Sequence, residues 1–208
     1  MKKTLFTLAL LAGLGSAAQA QRNYYGSPAF GGLKAGGSFS NLDGNSVSGY
    51  RGIYGFHLGA VVNVALNKTF SLQPELLYSQ KGGKVTIYTG EVATNRYHYL
   101  DLPVALRGQL SNFFAEVGPQ LSMLLAARET LGGNATKITS DYALLDLGYV
   151  LGVGYQPQTG LGAGLRFNAP FASSAKAIET PSGNAKYKDD IKHSVVQVYV
   201  SYMLKNTR

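Results

Sequence analysis

The feature that most constrains the fold is a strict alternation of apolar and polar side chains in segment 53–80. On its first arm, one face carries Tyr54, Phe56, Leu58, Ala60, Val62 and Val64. The opposite face of that arm carries His57, Gly59, Val61 and Asn63. After a turn at 67–69, the second arm alternates Phe70, Leu72, Pro74, Leu76 and Tyr78 with Ser71, Gln73, Glu75 and Ser79. A period of two residues predicts a β-hairpin rather than a helix.

The same period recurs in six further segments, so the chain is predicted to contain eight strands. Besides the two arms of the hairpin, the predicted strands are 31–41, 96–107, 113–126, 141–155, 161–168 and 193–204. Three prolines, at positions 74, 103 and 119, fall inside the pattern. Because proline cannot donate a hydrogen bond to a strand ladder, we expect bulges or local ladder breaks at these positions.

The connections between the predicted strands alternate between long and short. The long connections are 42–52, 81–95, 127–140 and 169–192, and tight turns join the other pairs of strands. Long loops at one end and tight turns at the other are typical of outer-membrane barrels. The pattern therefore predicts an all-β protein, an eight-stranded antiparallel up-and-down transmembrane β-barrel.

Alternation alone does not say which face of the sheet lies inside. A soluble lipocalin-like carrier in the periplasm also has eight strands, but its apolar side chains point inward. Here the polar face carries charges of both signs in mid-strand, at Lys34, Glu75, Asp101, Arg107, Glu116, Asp146 and Arg166. The same face is rich in glycine, which suits a crowded interior. We therefore predict that these seven residues form a lumen charge cluster with a structural role.

The N-terminal segment has the properties of a secretory signal. Lys2 and Lys3 precede a short apolar run, and Ala18-Gln19-Ala20 fits the small-x-small cleavage rule. The apolar run is too short to span a bilayer as a helix. We therefore predict a signal peptide over 1–20 and one outer-membrane barrel domain over 21–208.

Composition narrows the kinds of site and partner. The sequence contains no cysteine, which excludes disulfides and thiolate metal sites. The formal charge of +8, which becomes +6 without Lys2 and Lys3, suits a surface that faces anionic lipid or polysaccharide. The basic residues are scattered along the chain and form no stripe, so nucleic acid is not an expected partner.

Five segments resemble the outer membrane protein β-barrel domain family of Gram-negative bacteria, whose members are often called porin family proteins. They are GLKAGGSFSNL (32–42), FSLQPELLYSQKG (70–82), YLDLPV (99–104), EVGPQL (116–121) and LGVGY (151–155). The resemblance spans nearly the whole mature chain and implies a barrel of the OmpA/OmpX type in the cell outer membrane. It also implies recognition of the last strand by barrel-insertion machinery, with Tyr202 as the aromatic residue in that role.

The family name suggests a pore, but the interior of an eight-stranded barrel is only just wide enough for side chains to fill. We expect Arg107 and Arg166 to cross the lumen and to pair with carboxylates of the cluster. Breaking such a buried pair by removing one partner costs about 3–5 kcal/mol. We therefore predict a lumen plugged by paired charges, and a narrow porin that passes small solutes is the alternative.

Neither catalysis nor metal binding is predicted. The candidates for a catalytic rim are His98, Asp189, Asp190, His193 and Ser194. No spacing among them indicates a nucleophile with its base. The three histidines, including His57, lie on separate predicted strands without metal-ligand spacing. We expect a protein that is not an enzyme and has no cofactor.

The long loops are the predicted place of interaction with partners. The aromatic and lysine side chains assigned to the outer surface are Tyr50, Tyr88, Tyr97, Tyr142, Tyr187, Lys84, Lys137, Lys186 and Lys188. An aromatic girdle with lysines facing anionic outer-membrane lipid accounts for them. A docking surface for a polysaccharide or a protein is the more specific hypothesis, and no residue selects the partner.

Overall fold

The computed structural model describes residues 29–43, 50–86, 91–139, 143–157, 159–171, 178–179, 186–187 and 192–204. The predicted signal peptide, residues 1–20, lies outside the described residues. The strands within these ranges are β1 (Ala29–Asp43), β2 (Tyr50–Ala65), β3 (Phe70–Thr86), β4 (Val92–Leu110), β5 (Phe113–Leu131), β6 (Asn134–Lys137), β7 (Leu145–Tyr155), β8 (Leu161–Pro170), β9 (Ile178–Glu179), β10 (Lys186–Tyr187) and β11 (Lys192–Met203). None of the described residues belongs to a helix long and apolar enough to cross a membrane.

Eight of these strands close into a ring in which every neighbour is antiparallel. Strands β1 to β5 pair in order, β7, β8 and β11 follow, and β11 pairs with β1 to complete the barrel. Register pairs traced from Ala35 reach Leu145 in one direction and Tyr155 in the other, so the ring closes with a stagger of ten residues. The predicted eight-stranded antiparallel barrel is confirmed.

The two faces of the barrel differ sharply in polarity. The outer face carries exposed apolar side chains, among them Leu33, Tyr54, Leu58, Val117, Leu151, Leu165, Val198 and Tyr202. The inner face carries polar and charged side chains that are almost fully buried, among them Lys34, Glu75, Asp101, Glu116 and Arg166. A soluble carrier has the reverse arrangement, with its apolar side chains around a ligand. The side chains are therefore arranged for contact with lipid outside and for mutual pairing inside.

The strands on one side of the barrel are longer than the sequence predicted. Strand β3 continues to Thr86, and β5 continues to Leu131, so parts of the predicted loops 81–95 and 127–140 are strand. Glycine and polar side chains in these segments are typical of loops. The backbones of β3 and β5 nevertheless remain paired with β4, which lies between them. Beyond the barrel, these strands form a sheet extension, which comprises the outer ends of β2 to β5 together with β6.

Other boundaries also differ from the predicted ones. Strand β6 folds back on β5 through Gly132 and Gly133, whose positive φ angles of 55° and 85° suit glycine in a tight turn. The strand predicted over 141–155 begins at Leu145. Within the predicted loop 169–192, the two-residue strands β9 and β10 pair with each other.

The prolines interrupt the ladders without shifting them. Each of Pro74, Pro103 and Pro119 lies in a short gap of one ladder, and the register is the same on both sides of the gap. The expected ladder breaks are therefore present, whereas bulges at the prolines are not. Register shifts occur elsewhere, one between β2 and β3 and one between β4 and β5 at His98 and Tyr99.

Candidate functional site

All seven charged residues predicted to face the lumen lie on the inner face of the barrel. Four of them meet at mid-height in a network called here the central quartet: Lys34, Glu75, Glu116 and Arg166. Asp101 and Asp146 lie nearer the end with the long connections, and Arg107 lies nearer the end with the tight turns. The seven therefore divide into a central network and two outlying groups.

Arg166 links the two carboxylates of the central quartet. Its Nη1 and Nη2 donate to Oε2 and Oε1 of Glu75 at 2.7 and 2.8 Å, and its Nε donates to Oε1 of Glu116 at 2.7 Å. The ammonium group of Lys34 donates to Oε1 of Glu75 at 2.6 Å. None of the four residues is more than 4% exposed. Two cations and two carboxylates make the quartet electrically neutral while it joins β1, β3, β5 and β8 across the lumen.

Neutral side chains add hydrogen bonds around the quartet, while Oε2 of Glu116 has no hydrogen-bond partner among the described residues. Gln73 Nε2 donates to Oε1 of Glu75 at 2.7 Å, and the Tyr199 hydroxyl donates to Oε1 of Glu116 at 3.1 Å. The Lys34 ammonium also lies 4.0 Å from the centre of the Tyr199 ring, at cation–π distance. These additional partners help to offset the cost of removing the four charges from water.

Inward-facing glycines make room for these side chains. A Cβ atom at Gly164 on β8 would lie 2.6 Å from the ring of Tyr199. A Cβ atom at Gly152 on β7 would lie 2.8 Å from Oε1 of Glu116. Both distances are shorter than van der Waals contact, so larger residues would displace the groups that hold the quartet.

Arg107 has different partners from those expected. It is 3% exposed, and its guanidinium donates to the amide oxygens of Gln73, at 2.9 Å, and Gln156. The guanidinium carbon also lies 3.4 Å from the centre of the Phe114 ring. In the described part of the chain, no carboxylate lies within ion-pair distance of Arg107. Arg107 therefore reaches the central quartet only through Gln73.

A separate ion pair, called here the outer pair, joins Lys81 and Asp101. The ammonium group lies 3.0 and 2.9 Å from the two carboxylate oxygens and 4.8 Å from the centre of the Tyr99 ring. The Tyr99 hydroxyl donates in turn to Oδ2 of Asp146 at 3.4 Å. Lys81 was missed by the sequence analysis, which ended the strand at residue 80. Continuing the two-residue period from Ser79 would have placed Lys81 in the lumen.

An apolar cluster lies beyond the outer pair on the β4–β5 side of the lumen. It comprises Tyr97, Tyr99, Leu124 and Ala127, with Ile138 packed against it. Ile138 is held there by its backbone N–H, which donates to the carbonyl of Ala127 at 3.0 Å. Tyr97 was expected at the outer surface, but its side chain is buried in this cluster. Of the other residues expected there, Lys84 and Lys137 are exposed, and the remaining side chains lie outside the description.

The lumen contains small polar spaces. A cavity of about 30 Å³ is lined by Lys81 of the outer pair together with Ser122, Asp146 and Asn168. That volume accommodates about two water molecules. Buried side-chain atoms of His57, Ser79 and Gln197 have no hydrogen-bond partner among the described residues, and buried polar atoms of this kind commonly bind water.

The two candidate histidines whose side chains are described, His57 and His98, are not brought together. His98 faces outward, where its Nδ1 forms a hydrogen bond with the Tyr78 hydroxyl, while His57 is buried in the lumen. Asp189, Asp190 and the side chain of His193 lie outside the description. Among the described residues, no group of three or more potential ligands could hold a metal ion.

Comparison with known proteins places this architecture in context. A family model described as "Outer membrane protein beta-barrel domain" matches residues 17–176. No curated protein sequence matches the chain. Neisserial surface protein A (NspA) is similar in structure, with a TM-score of 0.57, 12% sequence identity, and coverage of 84% of this chain and 98% of that one.

Two structures of Ail, the attachment invasion locus protein of Yersinia pestis, are also similar. One has a TM-score of 0.47 and 11% identity, and covers 84% of this chain and 98% of that one. The other, in complex with the heparin analogue sucrose octasulfate, has a TM-score of 0.48 and 9% identity, and covers 85% and 99%. At such identities, the likeness to NspA shows the fold alone.

Proposed function

Because the chain belongs to the outer membrane protein β-barrel domain family and is located in the cell outer membrane, we propose that it is a closed, non-conducting barrel that acts through its outer surface. The observation that carries the proposal is the central quartet, whose ion pairs connect four strands across the lumen. The proposed role is structural or interaction-bearing and includes no catalysis.

The cost of opening the lumen supports this proposal. A passing solute would have to separate buried charges, and leaving one such charge without its partner costs about 3–5 kcal/mol. Arg107 lies on one side of the quartet, and the outer pair lies on the other. A solute would therefore meet three successive levels of hydrogen-bonded charge, at Arg107, at the quartet and at the outer pair. The interior of an eight-stranded barrel is also narrow.

The uneven outer rim supports a role at the cell surface. Strand β5 makes its last pair with β7 at Met123 but continues eight residues further to Leu131, paired with β4 and β6. At about 3.4 Å per residue, this extension is roughly 27 Å long. A polysaccharide or a protein is the partner class proposed for this sheet extension and the long connections.

A narrow porin is the second candidate function. The unpartnered polar atoms of His57, Ser79 and Gln197 favour it, because water bound to them would give part of the lumen a wet path. The two candidates differ in whether a small solute crosses.

Liposome swelling separates these two candidates. The purified full-length chain is reconstituted into phosphatidylcholine vesicles, and its folding is checked by the difference in gel mobility between boiled and unboiled samples. We expect vesicles placed in isotonic arabinose to swell no faster than protein-free vesicles. Faster swelling that scales with the amount of folded protein would overturn the closed barrel and support the porin.

A further inference from the structure

The sheet extension carries exposed cations that the strand register brings together. Arg96 on β4 is directly opposite Arg128 on β5, and Arg128 is directly opposite Lys137 on β6. On the neighbouring strands, Lys84 is opposite Thr94, and Arg51 is opposite Lys84. All five cationic side chains are exposed. We call Arg96, Arg128 and Lys137 the basic row, with Lys84 and Arg51 flanking it.

In the described part of the chain, no carboxylate lies within ion-pair distance of the basic row. The ion pairs there all belong to the lumen, and none includes a residue of the row or its flanks. Among the described residues, the side chains of the row make one hydrogen bond, from Arg96 Nη1 to Gln80 Oε1 at 3.4 Å. Like charges directly opposite each other on adjacent strands repel. A bound anion would relieve this repulsion.

The position of the basic row indicates where such an anion would lie. Ala93, Asn95 and Tyr97 are buried on the inner face of β4, so Arg96 projects from the outer face. That face continues along β4 to His98, which contacts the aromatic ring of Tyr78. Beyond them lies the apolar surface that faces lipid. The row is therefore just outside the apolar surface, at the end with the long connections, which faces the cell exterior in outer-membrane barrels.

We propose that the basic row binds the phosphate groups of an anionic glycolipid in the outer leaflet. Guanidinium groups match phosphate oxygens in a bidentate geometry, and a lysine adds a point charge. The row lies on the lipid-facing side of the sheet, and this favours a lipid phosphate over a soluble polyanion. The proposal requires the outer-membrane location but does not depend on whether the lumen conducts.

Native mass spectrometry of the detergent-solubilised full-length chain tests the proposal. The probe is diphosphoryl lipid A, and dephosphorylated lipid A is the comparison. We expect the wild type to retain the diphosphoryl form and not the dephosphorylated form. The triple variant Arg96→Gln, Arg128→Gln, Lys137→Gln should retain at least about tenfold less, because each cation near an anionic surface contributes to binding.

Two controls keep the test interpretable. Lys68→Gln removes an exposed cation from a tight turn at the other end of the barrel and should leave lipid A retention unchanged. Unchanged heat-modifiable mobility shows that the triple variant is folded. If that variant does not fold, competition on the wild type by inorganic diphosphate provides the second measurement, and we expect it to displace lipid A.

Three results would overturn the proposal. The first is equal retention of lipid A by the wild type and the folded triple variant. The second is equal retention of the diphosphoryl and dephosphorylated forms. The third is binding of heparin, used as a soluble polyanion, without binding of lipid A, which would assign the basic row to a soluble polysaccharide instead.

Discussion

The lumen and the sheet extension use the same kinds of charged residue in opposite ways. The central quartet and the outer pair together hold three cations and three carboxylates, all buried and all in ion pairs. The basic row and its flanks hold five exposed cations and no carboxylate. Charge interactions are strong in a low-dielectric interior and weak in water. We therefore expect the lumen charges to govern stability and the exposed charges to be available to a ligand.

Among the lumen charges, substitution of Glu75 should have the largest effect on stability, because Glu75 accepts hydrogen bonds from both Lys34 and Arg166. We expect Glu75→Gln to lower the free energy of unfolding by about 3–5 kcal/mol, because it leaves buried cations without their shared carboxylate. Urea unfolding in lipid vesicles measures the change. The matched control is Glu91→Gln, at an exposed acid, which should change stability by no more than about 0.5 kcal/mol. Equal effects of the two substitutions would contradict a stabilising role for the quartet.

Disruption of the outer pair should lower stability by less than disruption of the central quartet. Lys81→Met should cost about 3 kcal/mol, because Asp101 would remain buried without its cation. The double variant Lys81→Met, Asp101→Leu should recover most of that loss, since apolar replacement of both partners removes the unpaired charge. If the stability loss of the double variant equals the sum of the losses of Lys81→Met and Asp101→Leu measured singly, the two residues are not coupled.

The crowding of the interior can be tested with two glycines. Gly164→Ala places a methyl group against the Tyr199 ring and should cost about 1–3 kcal/mol of stability. Gly37→Ala is the matched control on the outer face, where nothing lies within 4 Å of the added Cβ atom. It should change stability by about 0.5 kcal/mol or less. Similar losses at both positions would argue against an interior filled by the quartet.

The smallest effect on stability is expected in the basic row. Arg128→Gln removes an exposed cation that lies between two others, so stability should change by no more than about 0.5 kcal/mol. The same urea titration used for Glu75→Gln measures it. A loss of several kcal/mol would show that Arg128 has a structural partner and would weaken the contrast between the two sets of charges.

The sequence was sufficient to predict the strands and their two faces. The two-residue period separates positions such as Leu58 and Leu151 from positions such as Glu75 and Arg166, and the mid-strand charges of both signs assign the second set to the lumen. Alternation predicts faces well because each strand of a barrel has one side in lipid and one side in the lumen. The ends of β3 and β5 were harder to predict, because outside the membrane both faces meet water and the period weakens.

The partners within the lumen could not be predicted from the sequence. Arg166 and Glu75 are 91 residues apart, on strands that are not neighbours, and meet only because the ring closes with a particular stagger. Arg107 is opposite Glu116 in the register, yet donates to amide oxygens instead. The cations of the basic row are scattered along the chain and adjoin only through pairing of β4, β5 and β6. For the quartet and the basic row, the deciding quantity is the cross-strand register, which one sequence does not specify.

Single-channel conductance in planar bilayers tests the central claim most directly. If the central quartet closes the lumen as proposed, folded wild-type protein should give no current steps. The variant Glu75→Ala, Arg166→Ala, which removes two of its members, should give discrete steps. Steps from the wild type that are unchanged in the variant would contradict the account, since the current would then pass by a route that the quartet does not control.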